Sequence, residues 1–144
     1  MDVSDLRQRI LRALDEAQRD AAARRDTRVE AERQWQTFLG ATVVPLVRQA
    51  AGVLKAESEV FMVETPADSV RLVSNNSPDT YLELLFDSAV EEGSVVGRLS
   101  IARGRGRQVI DERPVAPGKS MAAITEDDIA QFLVNQIPKL IVRS

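Results

Sequence analysis

Three arginines alternate with two glycines at residues 103–107, in the sequence Arg-Gly-Arg-Gly-Arg. Polar and apolar residues alternate before it, and a weaker strand pattern follows at 107–113, so the segment predicts a β-hairpin with a three-residue loop and a glycine in the left-handed conformation. In that register Arg103 faces Arg107, and like charges directly opposite each other destabilise a hairpin. With Arg105 at the tip, three guanidinium groups gather on one turn, and such a cluster suits phosphate, carboxylate or an acidic protein surface. We therefore take Arg103, Arg105 and Arg107 as candidate partner-binding residues.

An acidic protein surface is favoured over nucleic acid as the partner of this hairpin. The chain has a formal net charge of −3, and only 4% of its residues are aromatic, so platforms for stacking bases are scarce. One basic turn would neutralise few phosphates and would bind weakly at physiological salt. Residues 35–97 carry three basic against nine acidic side chains, so the acidic strands of this protein are themselves a candidate partner.

The carboxylates form neither a predicted catalytic pair nor a predicted metal site. Glu126, Asp127 and Asp128 are consecutive on a predicted helix, point about 100° apart, and are explained by helix capping. Glu83 and Asp87 share a strand face but lie roughly 13 Å apart along the strand, which is too far to act on one bond. Histidine and cysteine are absent, which excludes Ser-His-Asp and Cys-His catalysis, zinc fingers and disulfides. We therefore predict no enzyme activity and no catalytic, cofactor-binding or metal-binding residue. A carboxylate-dependent enzyme is kept as a third hypothesis, after the two functions given at the end of this section.

The N-terminal segment predicts a long helix, because neither glycine nor proline occurs before residue 40. Its apolar residues recur every three or four positions, which is the pattern of a helix with one apolar face. They are Val3, Leu6, Ile10, Ala13 and Ala17. The apolar stripe does not continue through residues 18–34, because nine of these seventeen residues are charged. So polar a helix has too few apolar side chains to be stabilised by packing on a core.

Two arrangements of this helix are open. Its stripe either folds back on the next helix as a hairpin or projects and pairs with another subunit. The heptad signal weakens after Ala17, so a long regular coiled coil is not predicted. The favoured hypothesis is self-association in a homodimer, with Val3, Leu6 and Ile10 as partner-binding residues.

A second apolar stripe runs from Trp35 to Leu54 and passes through Pro45 without a change of phase. A proline inside a helix costs about 3 kcal/mol. We therefore expect either a kink near 41–45 or a new helix that begins there with proline in its first turn. One long kinked helix and a helical hairpin are both compatible with this pattern.

After Lys55 the apolar period changes to two, and turn residues separate five predicted strands, which favours an antiparallel meander. These strands are 59–65, 69–74, 80–87, 95–103 and 107–113, with a loop predicted at 75–79. In the last hairpin Arg98 faces Glu112 and Ile101 faces Val109. A C-terminal helix begins after Thr125, should end or kink at Pro138, and is expected to pack on the sheet.

The predicted fold class is α+β: a long N-terminal helical segment, an antiparallel meander of about five strands and a C-terminal helix on the sheet. Residues 1–34 form a charged helix for oligomerisation or docking, and residues 35–144 form the α+β domain. The first fifteen residues are too charged for a signal peptide, and no apolar run approaches the roughly 18 residues of a spanning helix. These features predict a cytoplasmic adaptor or subunit that binds proteins or itself and does not contact membranes. The alternative is an anion-binding module, for nucleic acid or a phosphorylated ligand, that uses the arginine hairpin.

Overall fold

The computed structural model describes residues 1–141 and begins with one uninterrupted helix from Val3 to Ala56. This helix comprises α1 (Val3–Phe38), a π-helical turn (Leu39–Val43) and α2 (Val44–Ala56). Of one long helix and a helical hairpin, both compatible with the sequence, the structure has the long helix. The N-terminal segment is continuous with the second helix and does not fold back on it as a hairpin.

The π-helical turn explains how the apolar stripe passes a proline in phase. The buried residues Trp35, Leu39, Val43 and Val47 are spaced by four, whereas an α-helix repeats every 3.6 residues. The wider turn keeps Leu39 and Val43 on one side of the helix. Pro45 lies in the first turn of α2, where its fixed φ suits a helix start. The expected irregularity is therefore present, and the helix continues through it.

Five antiparallel strands follow in the order of the sequence, as the alternating pattern predicts. They are β1 (Phe61–Glu64), β2 (Ser69–Ser74), β3 (Ser77–Asp87), β4 (Ser94–Ala102) and β5 (Gln108–Pro114). The α+β class and the meander are confirmed. Arg98 pairs with Glu112 and Ile101 with Val109, so the predicted register of the last hairpin is confirmed too.

The loop predicted at 75–79 is wrong in its extent. Only Asn75 and Asn76 form the turn, and β3 begins at Ser77 and includes Pro78. Proline is tolerated at the beginning of a strand, where its missing N–H interrupts little of the hydrogen-bonded ladder. Ser77, Pro78 and Asp79 are residue types that favour turns, but here they form the start of a strand.

The C-terminal helix, α3 (Glu126–Leu140), begins with the predicted cap. The Thr125 hydroxyl accepts a hydrogen bond from the Asp128 N–H at 3.3 Å, and the Asp128 carboxylate accepts one from the Thr125 N–H at 2.9 Å. Hydrogen bonds from Lys119 and from the Thr125 backbone lower the pKa of Asp128. Asp128 therefore has a structural role. Of the two outcomes expected at Pro138, an end or a kink, the end is wrong, because α3 continues through Pro138 to Leu140.

The helices cover one face of the sheet, and the core lies between them. Trp35 anchors the long helix, because its indole N–H donates to the Asp68 carbonyl oxygen at 2.9 Å in the β1–β2 turn. The Phe132 ring of α3 lies directly over Gly97 of β4. Large buried side chains from the strands complete this layer: Val70, Leu72, Leu82, Leu84 and Val95.

One further property of the long helix concerns membranes. By length and composition alone, the helix from Val3 to Ala56 could cross a membrane, and 17% of its most apolar window is buried. A helix packed in a protein core can have the same length and composition, so one such helix is weak evidence for a membrane span. In this fold Val43 and Val47 of that helix are buried in the core.

Candidate functional site

The first half of α1 stands clear of the domain. No residue from 3 to 30 is buried, and Ala31 and Trp35 are the buried residues of α1. The buried part of α1 packs on the domain where Ala31 meets Gly93. A Cβ on Gly93 would lie 2.9 Å from the Ala31 Cβ, so only glycine allows this approach. The turns of the helix before Asp20 project into solvent.

The projecting half carries an apolar line, which we call the N-terminal stripe. It consists of Val3, Leu6, Ile10 and Leu14, which are 81%, 47%, 50% and 52% exposed. Leu6, Ile10 and Leu14 are each four residues apart and therefore lie on one side of the helix. The structure thus places the three predicted residues Val3, Leu6 and Ile10 together on an exposed surface. The structure adds Leu14, which sequence reasoning missed although its spacing from Ile10 signals the same face.

Local ion pairs hold this part of α1 in a helix. Arg9 lies 3.3 Å from Asp5, and Arg19 lies 3.0 Å from Asp15, both at the i,i+4 spacing. Each such exposed pair contributes roughly 0.2–0.5 kcal/mol to an isolated helix. These pairs leave the apolar stripe uncovered, because they lie on other faces of the helix.

The arginine hairpin has the predicted three-residue loop. The Arg103 N–H donates to the Arg107 carbonyl at 2.8 Å, and the Arg107 N–H donates to the Gly104 carbonyl at 3.0 Å. All three loop residues have positive φ: 66° for Gly104, 48° for Arg105 and 74° for Gly106. The sequence predicts the left-handed conformation only for a glycine of this loop. Arg105 also adopts it, and for a residue with a Cβ this conformation costs roughly 1–2 kcal/mol.

The three guanidinium groups of the hairpin are exposed and close in sequence. Arg103 and Arg107 face each other across the loop, as the register predicts. No salt bridge within residues 1–141 includes Arg103, Arg105 or Arg107. The tip is therefore a concentrated positive charge on the surface.

The helix-free face of the sheet carries a row of alternating charges across all five strands. In register, the row is Glu64, Arg71, Glu83, Arg98 and Glu112. Opposite charges are neighbours at every step, which is the favourable arrangement for cross-strand pairs. The hydrogen bond from Arg98 Nε to Glu112, 2.6 Å long, raises the pKa of Arg98.

Glu83 lies at the centre of this row and is only 3% exposed. Its carboxylate accepts a hydrogen bond from the Ser69 hydroxyl at 2.7 Å and lies 3.3 Å from Arg98 Nη1. Arg71 Nε lies 3.0 Å from the same carboxylate but is not directed at it, so that contact is an ion pair without a hydrogen bond. Glu83 is buried although it lies on the face opposite Leu82 and Leu84, since arginines of two neighbouring strands contact its carboxylate. Ser100, which pairs with Tyr81 in the same sheet, is also fully buried, and its hydroxyl donates to the Asp79 carbonyl at 2.6 Å.

Neither a paired catalytic carboxylate nor a metal cluster emerges from these groups. The charged neighbours of Glu83 are arginines, and Asp87 lies four residues further along β3. Within residues 1–141, no group of three or more acidic side chains could hold a metal ion.

A groove of about 350 Å³ lies between α2 and α3. None of the ten residues that line it is charged. Its α2 side includes Leu46, Ala50 and Val53, and its α3 side includes Leu133, Val134 and Ile137. We call this surface the α2–α3 groove. The sequence alone does not reveal it, because four of its five α2 residues belong to the apolar stripe from Trp35 to Leu54, which is typical of a core face.

Comparisons of the chain with protein-family models, with curated proteins and with solved structures found no match. Two surfaces of the molecule exceed what the fold requires: the exposed N-terminal stripe and the arginine hairpin.

Proposed function

We propose that the chain is a non-enzymatic cytoplasmic adaptor or subunit that self-associates through α1 and uses the N-terminal stripe as its contact surface. The observation that carries the proposal is the line of four large apolar side chains, each at least 47% exposed, on a projecting helix. Single exposed apolar residues are common, but a contiguous line of them is typical of an interaction surface. Burying each one contributes up to about 1.5–3 kcal/mol.

The charge of the helix favours a second copy as the partner. Residues 1–34 carry eight basic and eight acidic side chains, so two such helices do not repel each other. A polyanion or an anionic lipid surface would require an excess of basic residues on the helix. The same balance therefore supports self-association over binding to nucleic acid or to membranes through α1.

Replacing Leu6 and Ile10 by glutamate should convert the associated protein into a monomer. Both side chains lie on the stripe, so each new carboxylate would have to be desolvated on association. Sedimentation equilibrium over a range of protein concentrations measures the change. We expect the dimer Kd to rise at least about a hundredfold.

A matched control is the pair Ser4→Glu and Gln8→Glu. Both residues are exposed, are also four apart, and lie outside the stripe on α1. This variant adds the same charge and should associate like the original chain. Wild-type protein that stays monomeric up to high concentration would contradict the proposal.

A second candidate function is anion recognition by the arginine hairpin, for nucleic acid or a phosphorylated ligand. The left-handed backbone of Arg105, with φ of 48°, favours it. A glycine or asparagine would suit this position better for folding. Residues in such sparsely populated backbone conformations cluster at functional sites, which supports a binding role for the Arg105 side chain.

Replacing Arg103, Arg105 and Arg107 by serine should leave the fold intact and remove binding to a phosphopeptide or to single-stranded DNA. Fluorescence anisotropy with each labelled probe at several salt concentrations measures this, and binding should weaken as salt rises. The control replaces Arg19, Arg24 and Arg25, exposed residues of α1, by serine. Equal losses in the two variants would show a non-specific effect of net charge and contradict the second candidate.

A further inference from the structure

Two unpartnered apolar surfaces lie at opposite ends of one helix. The N-terminal stripe occupies residues 3–14, and the α2–α3 groove begins at Leu46. The groove is open to solvent, since Val53 and Val134 are each 67% exposed. A groove between two helices is a common receptor for the apolar face of a third helix.

The stripe of a chain cannot reach its own groove. Both surfaces belong to the uninterrupted helix from Val3 to Ala56. At 1.5 Å per residue, Ile10 and Ala50 are about 60 Å apart along that helix. Only another molecule can bring a stripe to a groove.

The two surfaces match in spacing when the helices run antiparallel. Stripe residues Leu6, Ile10 and Leu14 are four apart, and so are Leu46, Ala50 and Leu54 on α2. The antiparallel register places Ile10 opposite Ala50, so a large side chain meets a small one. Such alternation lets the side chains of one helix enter the spaces of the other.

We propose that the N-terminal stripe of one copy docks into the α2–α3 groove of a second copy, and that two-fold symmetry makes the exchange reciprocal. The proposal rests on the proposed function, self-association through α1, and names the surface that α1 contacts. No charged residue belongs to the stripe or lines the groove, so docking desolvates no charged group of either surface.

The size of the contact favours this arrangement over pairing of two stripes. In reciprocal docking each copy contributes the ten groove residues and the four stripe residues, fourteen in all, because the two-fold axis repeats the same contact. That number is below the roughly 20–30 residues per partner of a standard interface, and it is more than three times what the stripe alone supplies. Pairing stripe with stripe would contribute only four large apolar side chains from each chain.

A complementation experiment tests the proposal. The stripe variant carries Leu6→Glu and Ile10→Glu, and the groove variant carries Val53→Glu and Val134→Glu. The stripe variant alone should show the hundredfold rise in dimer Kd given above, and the groove variant alone a rise of at least about tenfold. A mixture of the two should form heterodimers, because the stripe variant keeps an intact groove and the groove variant keeps an intact stripe. Native mass spectrometry with differently tagged chains counts them.

Controls separate docking from folding. Arg48→Ala with Gln131→Glu changes the net charge by the same amount at exposed residues that do not line the groove, and it should dimerise normally. Thermal unfolding checks that each variant is folded. If the glutamate groove variant is unfolded, Val53→Ser with Val134→Ser takes its place in the same mixture.

The outcomes distinguish this inference from the proposed function. Groove variants that dimerise normally while the stripe variant is monomeric would overturn docking in the groove and leave self-association through α1 intact. Two monomeric variants whose mixture stays monomeric would also overturn reciprocal docking. A wild-type chain that is monomeric, or that binds phosphatidylcholine–phosphatidylglycerol vesicles through the groove instead of dimerising, would overturn both.

Discussion

Replacing Trp35 by alanine is expected to lower the free energy of unfolding by about 3–5 kcal/mol. Trp35 is 1% exposed and is the largest fully buried side chain among the described residues. It joins three parts of the molecule, because it extends from α1 into the core and donates to the Asp68 carbonyl in the β1–β2 turn at 2.9 Å. Alanine would leave a cavity that the surrounding core can only partly fill.

The variant Trp35→Phe separates packing from hydrogen bonding. Phenylalanine keeps most of the buried surface and leaves the Asp68 carbonyl without its donor, so its cost should be nearer about 1–2 kcal/mol. Urea denaturation at one fixed protein concentration measures both variants, since association changes apparent stability. A loss below about 1 kcal/mol for Trp35→Ala would show that this residue does not anchor the long helix.

Replacing Gly97 by alanine is expected to destabilise the fold by about 3 kcal/mol, at the upper end of the cost of overpacking. A Cβ at this position would lie 2.2 Å and 2.3 Å from two carbons of the Phe132 ring. Both residues belong to elements that are packed in the core, so neither can move away cheaply. The close approach of α3 to β4 therefore depends on glycine.

A second substitution tests this explanation of the Gly97 effect. Phe132→Leu shortens the side chain that collides with the new methyl group, so the double variant should be more stable than the sum of the two single effects predicts. Gly52→Ala is the matched control, because nothing lies within 4 Å of a Cβ there. In the helix interior it should add about 0.5–1 kcal/mol of stability. Strict additivity of the Gly97 and Phe132 changes would contradict a steric cause.

Local patterns in the sequence predicted most of the elements, because they depend on neighbours in the chain. Alternation placed Leu82, Leu84 and Phe86 on one face of β3, and the structure packs that face against the helices. The capping box at Thr125 and Asp128 likewise involves residues three apart. The loop of the arginine hairpin followed from the glycines on either side of Arg105.

Burial of polar groups could not be predicted in this way. Glu83 reads as a solvent-facing residue, because it alternates with leucines on its strand. In the sheet, Arg71 of β2 and Arg98 of β4 flank Glu83 and contact its carboxylate, and Glu83 is buried between them. The strand pairing that brings these arginines to one carboxylate is a long-range property of the sheet.

The sequence by itself determined the class of the fold, the order of its strands, the arginine tip and the apolar pattern of α1. All of these follow from periodicity and turn chemistry over a few residues. Only the tertiary structure decided that α1 continues into α2, so that Val3, Leu6 and Ile10 are exposed and far from the groove beside α3. An apolar stripe has the same spacing whether it is buried or not, and its exposure depends on which other elements the chain places against it.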